Sequence, residues 1–548
     1  MDSIKFFICF LFLTNILFRE VLCNSCVENN EFSVTCYALD DFLSYPHPGQ
    51  WKIVHVTHPE TLQGKSSQID MFMCTGPVFE KYKAVKYLDL SKFRVITINP
   101  NCFRGMNALE TVNLSKNNLT TIDMNVFRTS DEMNIRKINL DNNGILNINL
   151  STVILPELET LQMVNNSLTS FYLKTENLPK IEILDLEGND IWRFGIESKT
   201  MTSLDLSHNC IKTFGKAQMM LPNLRHLRLN GNYLTEVNND MFGNIPKLQY
   251  VYLAHNLLHT VFIPHLRLAY LDLNYNQIKT MENITTSLIN HSSIHMNFNK
   301  VFEMIFPNQL GGLTELVCNF CNIHLIGPYF LYDISPAMES VSLRSNLLTS
   351  AKLFESRQDD LNLISIDLSY NQIKKIEAMT FSKLSKTINL YISNNEIETI
   401  APEAFNYMTK LHTLDLSNNY IYEVPPTAFD RALIVLLLLN GNNMAYFPIP
   451  GWDTDTNEIY DDGSAFSQLQ TLNVENNPFQ CDCLEIMHTW AQKRTFDFKV
   501  YEEKVKAGEK PACIVNNLGC RKDVGKDFIK QYWHLFNDNK LRSILTLE

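Results

Sequence analysis

Most of this chain repeats one phrase of apolar and polar positions: apolar, any, apolar, any, any, Asn, any, apolar. It reads Leu204-Asp205-Leu206-Ser207-His208-Asn209-Cys210-Ile211 in one place and Leu414-Asp415-Leu416-Ser417-Asn418-Asn419-Tyr420-Ile421 in another. Seventeen copies begin at Leu88, Val112, Ile138, Leu161, Leu184, Leu204, Leu227, Val251, Leu271, Ile294, Leu316, Val341, Ile366, Leu390, Leu414, Leu437 and Leu472, a mean step of 24 residues. The apolar-any-apolar triplet predicts a short strand whose side chains alternate between faces. Leu204 and Leu206 then turn inward, and Asp205 turns out. The Asn leads the chain out of the strand, and its amide can satisfy backbone groups that the turn would bury unpaired. Copies stacked in register predict a parallel sheet.

A period in this range with this phrase resembles the leucine-rich repeat. The resemblance implies an α/β solenoid, a horseshoe with a parallel concave sheet and disulfide-bonded terminal caps. Phe103, Phe127, Phe242, Phe381, Phe405 and Phe429 form a second series, similar to the phenylalanine spine of the longer extracellular repeats. A stack exposes apolar surface at both ends and therefore needs caps. Residues 24–84 form the N-terminal one, in which Cys26 and Cys36 bracket a strand and are expected to pair. A degenerate repeat is expected within it at Ile69-Asp70-Met71-Phe72-Met73-Cys74. Repeats occupy 85–478, with one insertion at 451–463 that should leave the solenoid as a loop. Residues 479–520, with Cys481, Cys483, Trp490, Cys513 and Cys520, resemble the cysteine-rich C-terminal flank of extracellular repeat proteins. That resemblance implies pairing of Cys481 with Cys513 and of Cys483 with Cys520. The tail, 521–548, carries Phe528, Tyr532, Trp533 and Phe536 and predicts one short amphipathic helix.

Composition adds a compartment. Residues 1–23 have a basic start at Lys5, an apolar run from Phe6 to Phe18 and smallish residues before Asn24, the signature of a secretory signal peptide. No apolar run reaches the roughly 20 residues of a membrane span, and the end of the chain is no GPI signal. The expected product is secreted and extracellular. Of the 13 cysteines, Cys9 and Cys23 leave with the signal, and export makes disulfides favourable for the eleven that remain. Six glycosylation sequons, at Asn113, Asn118, Asn149, Asn165, Asn283 and Asn290, agree with it. A net charge of −12 argues against nucleic acid and anionic membrane as partners.

Candidate chemistry is thin. Cys318-Asn319-Phe320-Cys321 has redox or zinc spacing, but Cys318 occupies a strand leucine position and Cys321 the Asn position, so both read as core. Asp453, Asp455, Asn457 and Asp461 loosely suggest a calcium loop. Glu458 and Ser464 stand where an EF-hand needs Gly and Glu, which leaves a solvated acidic loop. No catalytic motif is present. The chain is therefore expected to be no enzyme and to need no cofactor or metal.

The outward strand positions carry more. His226, Arg228, Tyr250, Tyr252, Tyr270, Asp272 and His295, with Tyr275 and Phe298 just beyond their strands, gather Tyr, His and Arg on about four consecutive repeats. Such residues are enriched where protein partners bind. Asn113 and Asn165 fall near the same face further toward the N-terminus, where a glycan would obstruct it. Repeat array, signal and flank together are similar to Toll-type receptor ectodomains, and most similar to the short, coil-less type of insect leucine-rich immune proteins. That resemblance implies innate immunity and a protein or pathogen-surface ligand, with a complement-like thioester protein or another leucine-rich repeat chain as partner. A developmental or matrix ligand-binding protein fits the same residues. So does a disulfide-linked dimeric scaffold, because three pairs leave Cys74, Cys102, Cys210, Cys318 and Cys321, an odd number.

Overall fold

The computed structural model describes residues 26–30, 33–36, 52–56, 73–74 and 79–537, without 101, 130–133, 151, 239, 281–284, 305–311, 327–334, 354–359, 450–465, 501–512, 514–518, 523 and 525. The signal segment, the insertion and Asn283 lie outside the described residues, as does the side chain of Asn290. The chain divides into two compact units, 1–257 and 258–548.

In the first unit, short strands pair in parallel through Ser33–Cys36, Ile53–Val56, Tyr87–Asp89, Thr111–Asn113, Lys137–Asn139, Thr160–Gln162, Ile183–Asp185, Ser203–Asp205, His226–Arg228 and Tyr250–Tyr252. The first apolar residue of every repeat in this unit is the central residue of its strand and is buried. The strand that precedes the repeats is Ile53–Val56, with Val54 opposite Leu88. Residues 69–72 of the degenerate repeat expected at 69–74 lie outside the described residues, and Met73–Cys74 pairs with Thr97–Ile98 in a separate two-stranded sheet. Val54 carries the buried position without the following Asn that marks most of the repeats, which is why the phrase does not find it. Cys26 and Cys36 face each other across an antiparallel pair. Cys102 is disulfide-bonded, so it does not belong with the spare thiols.

The second unit continues the pattern through Thr260–Asp272, Thr285–His295, Leu313–Val317, Ser340–Ser342, Ser365–Asp367, Asn389–Tyr391, Thr413–Asp415, Leu436–Leu438 and Thr471–Asn473, ending on Asp497–Lys499. Its C-terminal flank is a helix, α1 (Cys481–Arg494), whose first turn holds two disulfides, Cys481–Cys513 and Cys483–Cys520. Trp490 on α1 is buried against Phe447, Phe466 and Phe496, closing the apolar end of the stack. The tail forms α2 (Lys526–Asn537), which buries Ile529 and donates from Trp533 Nε1 to Asn443 Oδ1 at 2.8 Å. No described helix is long and apolar enough to cross a membrane.

Two side-chain ladders fill each unit. Phenylalanines stack behind the strands: Phe79, Phe103 and Phe127 in the first unit, and Phe381, Phe405 and Phe429 in the second, with centroids 5.4–6.0 Å apart. The repeat asparagines form the other ladder. Asn209 Nδ2 donates to the carbonyls of Leu186 and Leu206 at 3.0 and 3.1 Å, and its Oδ1 accepts from the Ile191 amide at 2.9 Å. Each Asn thus bridges its own turn to the preceding one. Cys321 breaks the ladder: its thiol reaches the Met296 carbonyl at 3.1 Å, and both Cys318 and Cys321 are buried core residues.

Asn371 bonds the Leu343 and Leu368 carbonyls and the Leu348 amide, all at 3.0 Å. Asn371→Ala leaves those three buried groups without partners and should cost about 2–4 kcal/mol in urea unfolding. A loss below about 0.5 kcal/mol, the size of a surface substitution, would contradict the ladder's role.

Candidate binding surface on the parallel sheet

Outward positions of neighbouring strands lie beside one another in register, so their side chains form rows across the repeats. The expected site residues fall in both units. In the first, His226 lies opposite Tyr250 and Arg228 opposite Tyr252. The His226 and Tyr250 rings stack at 4.4 Å, 7° from parallel. The Arg228 guanidinium lies over the Tyr252 ring at 5.1 Å, with its Nε 3.9 Å from Asp205 Oδ2. Burial, and then the charges of Arg228 and Arg225, hold the His226 pKa below its usual value.

In the second unit, Tyr270 and Asp272 lie opposite Ser293 and His295. The Tyr270 hydroxyl is 3.2 Å from His295 Nδ1, and His295 Nε2 is 3.4 Å from Glu315 Oε2. A carboxylate only accepts, so the proton between His295 and Glu315 is carried by Nε2. Asp272 has a structural duty: its Oδ1 caps the Asn274 amide at 3.0 Å.

Just past the strands, Tyr275, Phe298 and Phe320 stack face to face, with centroids 4.3 and 4.5 Å apart and planes within 9°. They are 45 %, 40 % and 46 % exposed. All three have φ between 55° and 56°, the left-handed region. Other repeats fill this position with residues suited to it, among them Gly188, Gly231, Gly441, Asn142, Asn394 and Asn418. A bulky residue there costs on the order of 1–2 kcal/mol, and stacking of about 0.5–1.5 kcal/mol per pair returns only part of it. Three consecutive repeats therefore hold aromatic rings in a strained position and leave them in water. Strain and exposed apolar surface together mark functional sites more often than structural ones.

The sequence pattern located nine of these residues. Glu315 and Phe320 complete the second unit's cluster and follow from the same register extended by one repeat. The pattern passed over Asp185, Glu187 and Asp205 on the first unit's sheet, whose carboxylates come within 4.8 Å of one another. Reading the repeat phrase across strands, not along them, would have found the facing pair Asp185 and Asp205. Of the sequons, Asn118 and Asn149 are exposed, as is Asn165, whose amide donates to Asn142 Oδ1 at 3.2 Å. Asn113 is half-buried at its strand end, and its oxygen accepts from the Ser115 amide at 3.0 Å.

The leucine-rich repeat family model matches residues 77–130, 199–258, 222–278 and 385–444. Fibromodulin of Oryctolagus cuniculus is 28% identical over 157 residues, covering 28% of this chain and 89% of the relative. Fibromodulin of Sus scrofa is 27% identical over 156 residues, with the same shares. Among solved structures, a leucine-rich repeat protein of Leptospira interrogans superposes with a TM-score of 0.50 at 19% identity, covering 85% of this chain and 99% of that one. The fold is that of the leucine-rich repeat solenoid.

Burial pushes the Asp185 carboxyl up to about 6, helped by the charges of Asp205, Asp141 and Glu187. Arg228 and His208 face the group only at distance, 3.9 Å from Asp205 and Glu187 respectively. A carboxyl whose folded pKa is raised adds stability at low pH, and loses that contribution as pH rises through its folded pKa. In chelator, Asp185→Asn should therefore raise the thermal midpoint at pH 8 and do so less at pH 5. A gain that grows toward pH 5 would contradict this assignment.

Proposed function

We propose that this leucine-rich repeat protein is an exported binder, without enzymatic activity, that takes a protein ligand on the parallel sheet of its second unit. The observation that carries the reading is the exposed stack of Tyr275, Phe298 and Phe320 held at positive φ. Beside it, the chain Tyr270–His295–Glu315 supplies directional polar groups. Flat apolar area with a few fixed polar atoms is the composition of protein-binding hot spots. On the first unit, His226, Arg228, Tyr250 and Tyr252 are more closely engaged with one another and offer a secondary surface.

Export is supported by the disulfides of the C-terminal flank, which belong to oxidising compartments. The similarity to two fibromodulins favours a matrix setting for the ligand. Innate immunity, with a pathogen-surface or thioester-protein ligand, rests on the resemblance to insect immune repeat proteins; induction of the transcript by infection would support it over the matrix setting. A disulfide-linked dimer has one half-buried thiol to draw on among the described free cysteines, Cys210.

The double variant Phe298→Ala, Phe320→Ala tests the reading. Immobilised wild-type protein should retain specific proteins from native extracellular fluid, and the variant should lose them by about tenfold or more, about 1.4 kcal/mol. Its unfolding midpoint should not fall, because the rings are exposed and strained. Retention of the same proteins at the same level by the folded variant would overturn the proposal.

A further inference from the structure

A second site lies on the sheet of the first unit, and it draws nothing from the ligand reading above. Asp occupies the outward strand position in several repeats: Asp89, Asp185, Asp205, Asp272, Asp367 and Asp415. In each, one oxygen accepts the backbone amide two residues on, at 2.8–3.2 Å. The second oxygen is left for other partners. Only at Asp185 and Asp205 do two such residues face each other across one strand pair among the described residues. Glu187, two residues beyond Asp185, adds a third carboxylate, and one oxygen from each of the three falls within 4.8 Å of the others. The nearest cations are too distant to neutralise them by hydrogen bonding. Arg228 Nε is 3.9 Å from Asp205, and His208 Nε2 is 3.9 Å from Glu187.

Ser207 is the independent observation. It is 3 % exposed, and its hydroxyl has no hydrogen-bond partner. Its amide donates to Asp205 Oδ1 at 2.8 Å, and its carbonyl accepts from Gly188, the neighbour of Glu187, at 2.9 Å. The residue is therefore clamped between two of the three carboxylates. At the same register in another repeat, the Ser417 hydroxyl turns onto the Asp415 carboxylate at 2.6 Å. Ser207 shares the backbone turn of Ser417, each amide on its Asp carboxylate, so the Ser417 rotamer would bring the buried, unspent Ser207 hydroxyl onto Asp205. A buried hydroxyl without a partner costs about 1–3 kcal/mol, a cost that a ligand at this point would remove.

We propose that Asp185, Glu187, Asp205 and Ser207 form a calcium site on the sheet of the first unit. The donors are all oxygens, which select hard cations over zinc or copper. Calcium binds oxygens at about 2.3–2.6 Å, so donors on opposite sides of the ion stand roughly 4.6–5.2 Å apart, whereas magnesium requires about 4.0–4.2 Å in a strict octahedron. Three carboxylates on adjacent strands, one oxygen of each within 4.8 Å of the others, fit inside the calcium span, and magnesium, which gives up its waters reluctantly, is the poorer occupant. Four protein donors leave the remaining positions to water, which places the affinity in the range of extracellular calcium modules, on the order of 10⁻⁴–10⁻³ M.

The test uses the full chain, stripped of metal by chelation and titrated calorimetrically with calcium chloride. Wild type should bind with a Kd of about 0.1–1 mM, and magnesium should bind more weakly. Asp185→Asn with Asp205→Asn should weaken this binding by about tenfold or more. Ser207→Ala should weaken it several-fold while leaving the unfolding midpoint in chelator unchanged or raised. Calcium should raise the unfolding midpoint of wild type and not that of the double variant. The proposal is overturned if wild type shows no calcium binding at about 10 mM, above that affinity range. It is equally overturned if the double variant, folded by circular dichroism, binds calcium as wild type does, since the ion would then sit on other carboxylates of this acidic chain.

Discussion

The asparagine side-chain bridge is the interaction on which the rest of the structure depends. A solenoid turn is short, and its strand is only three residues in most repeats, so the backbone groups leaving the strand cannot all be paired by the sheet. Left unpaired and buried, each would cost about 1–3 kcal/mol. Asn209 and its counterparts supply two donors and an acceptor at that point and tie their turns to the preceding ones, with Phe93 and Cys321 standing in the position in two repeats. The amide geometry dictates both the position of the Asn in the phrase and the register of neighbouring strands. Once register is set, outward side chains fall into rows, and every functional feature of the sheet is a consequence of which residues share a row.

Rows make chemistry from residues that are remote in sequence. Tyr270, His295 and Glu315 come from three repeats and touch because each holds an outward position in or beside its strand. The aromatic stack arises the same way, at the phrase position just before the Asn, where the turn demands a left-handed residue. Eight of the seventeen repeats meet that demand with Asn or Gly. The substitution of aromatic rings at three successive turns is a local cost that the solenoid's many bridges readily bear, and it gives the second unit an apolar stripe that water does not favour.

The repeat core was highly legible in the sequence. Each of the seventeen phrase starts lies in a strand of the parallel sheet and is buried, because periodic apolar burial acts on every turn alike. Cys318 and Cys321 could be assigned to the core for the same reason: their register positions point inward, whatever their chemistry. Legibility fell where a residue serves a single contact. The strand at Ile53–Val56 lacks the Asn and so escapes the phrase, although it pairs in parallel with a neighbour on each side. Phe79 joins the buried spine from outside the repeats proper, so no period announces it. The facing carboxylates Asp185 and Asp205 are each ordinary along the chain and become unusual only when two strands are laid side by side. Trp533 reaches Asn443 across ninety positions, a pairing that only the folded flank brings about.

The central claim is that the second unit's aromatic stripe is where a partner sits. Site-specific photo-crosslinking tests it most directly, with a photoreactive phenylalanine analogue placed at Phe298 and, separately, at Met379, an exposed residue outside the stripe. Irradiation in native extracellular fluid should give a discrete heavier adduct from position 298 and none from 379. An adduct from 379 with none from 298 would contradict the account and move the binding surface away from the stacked rings.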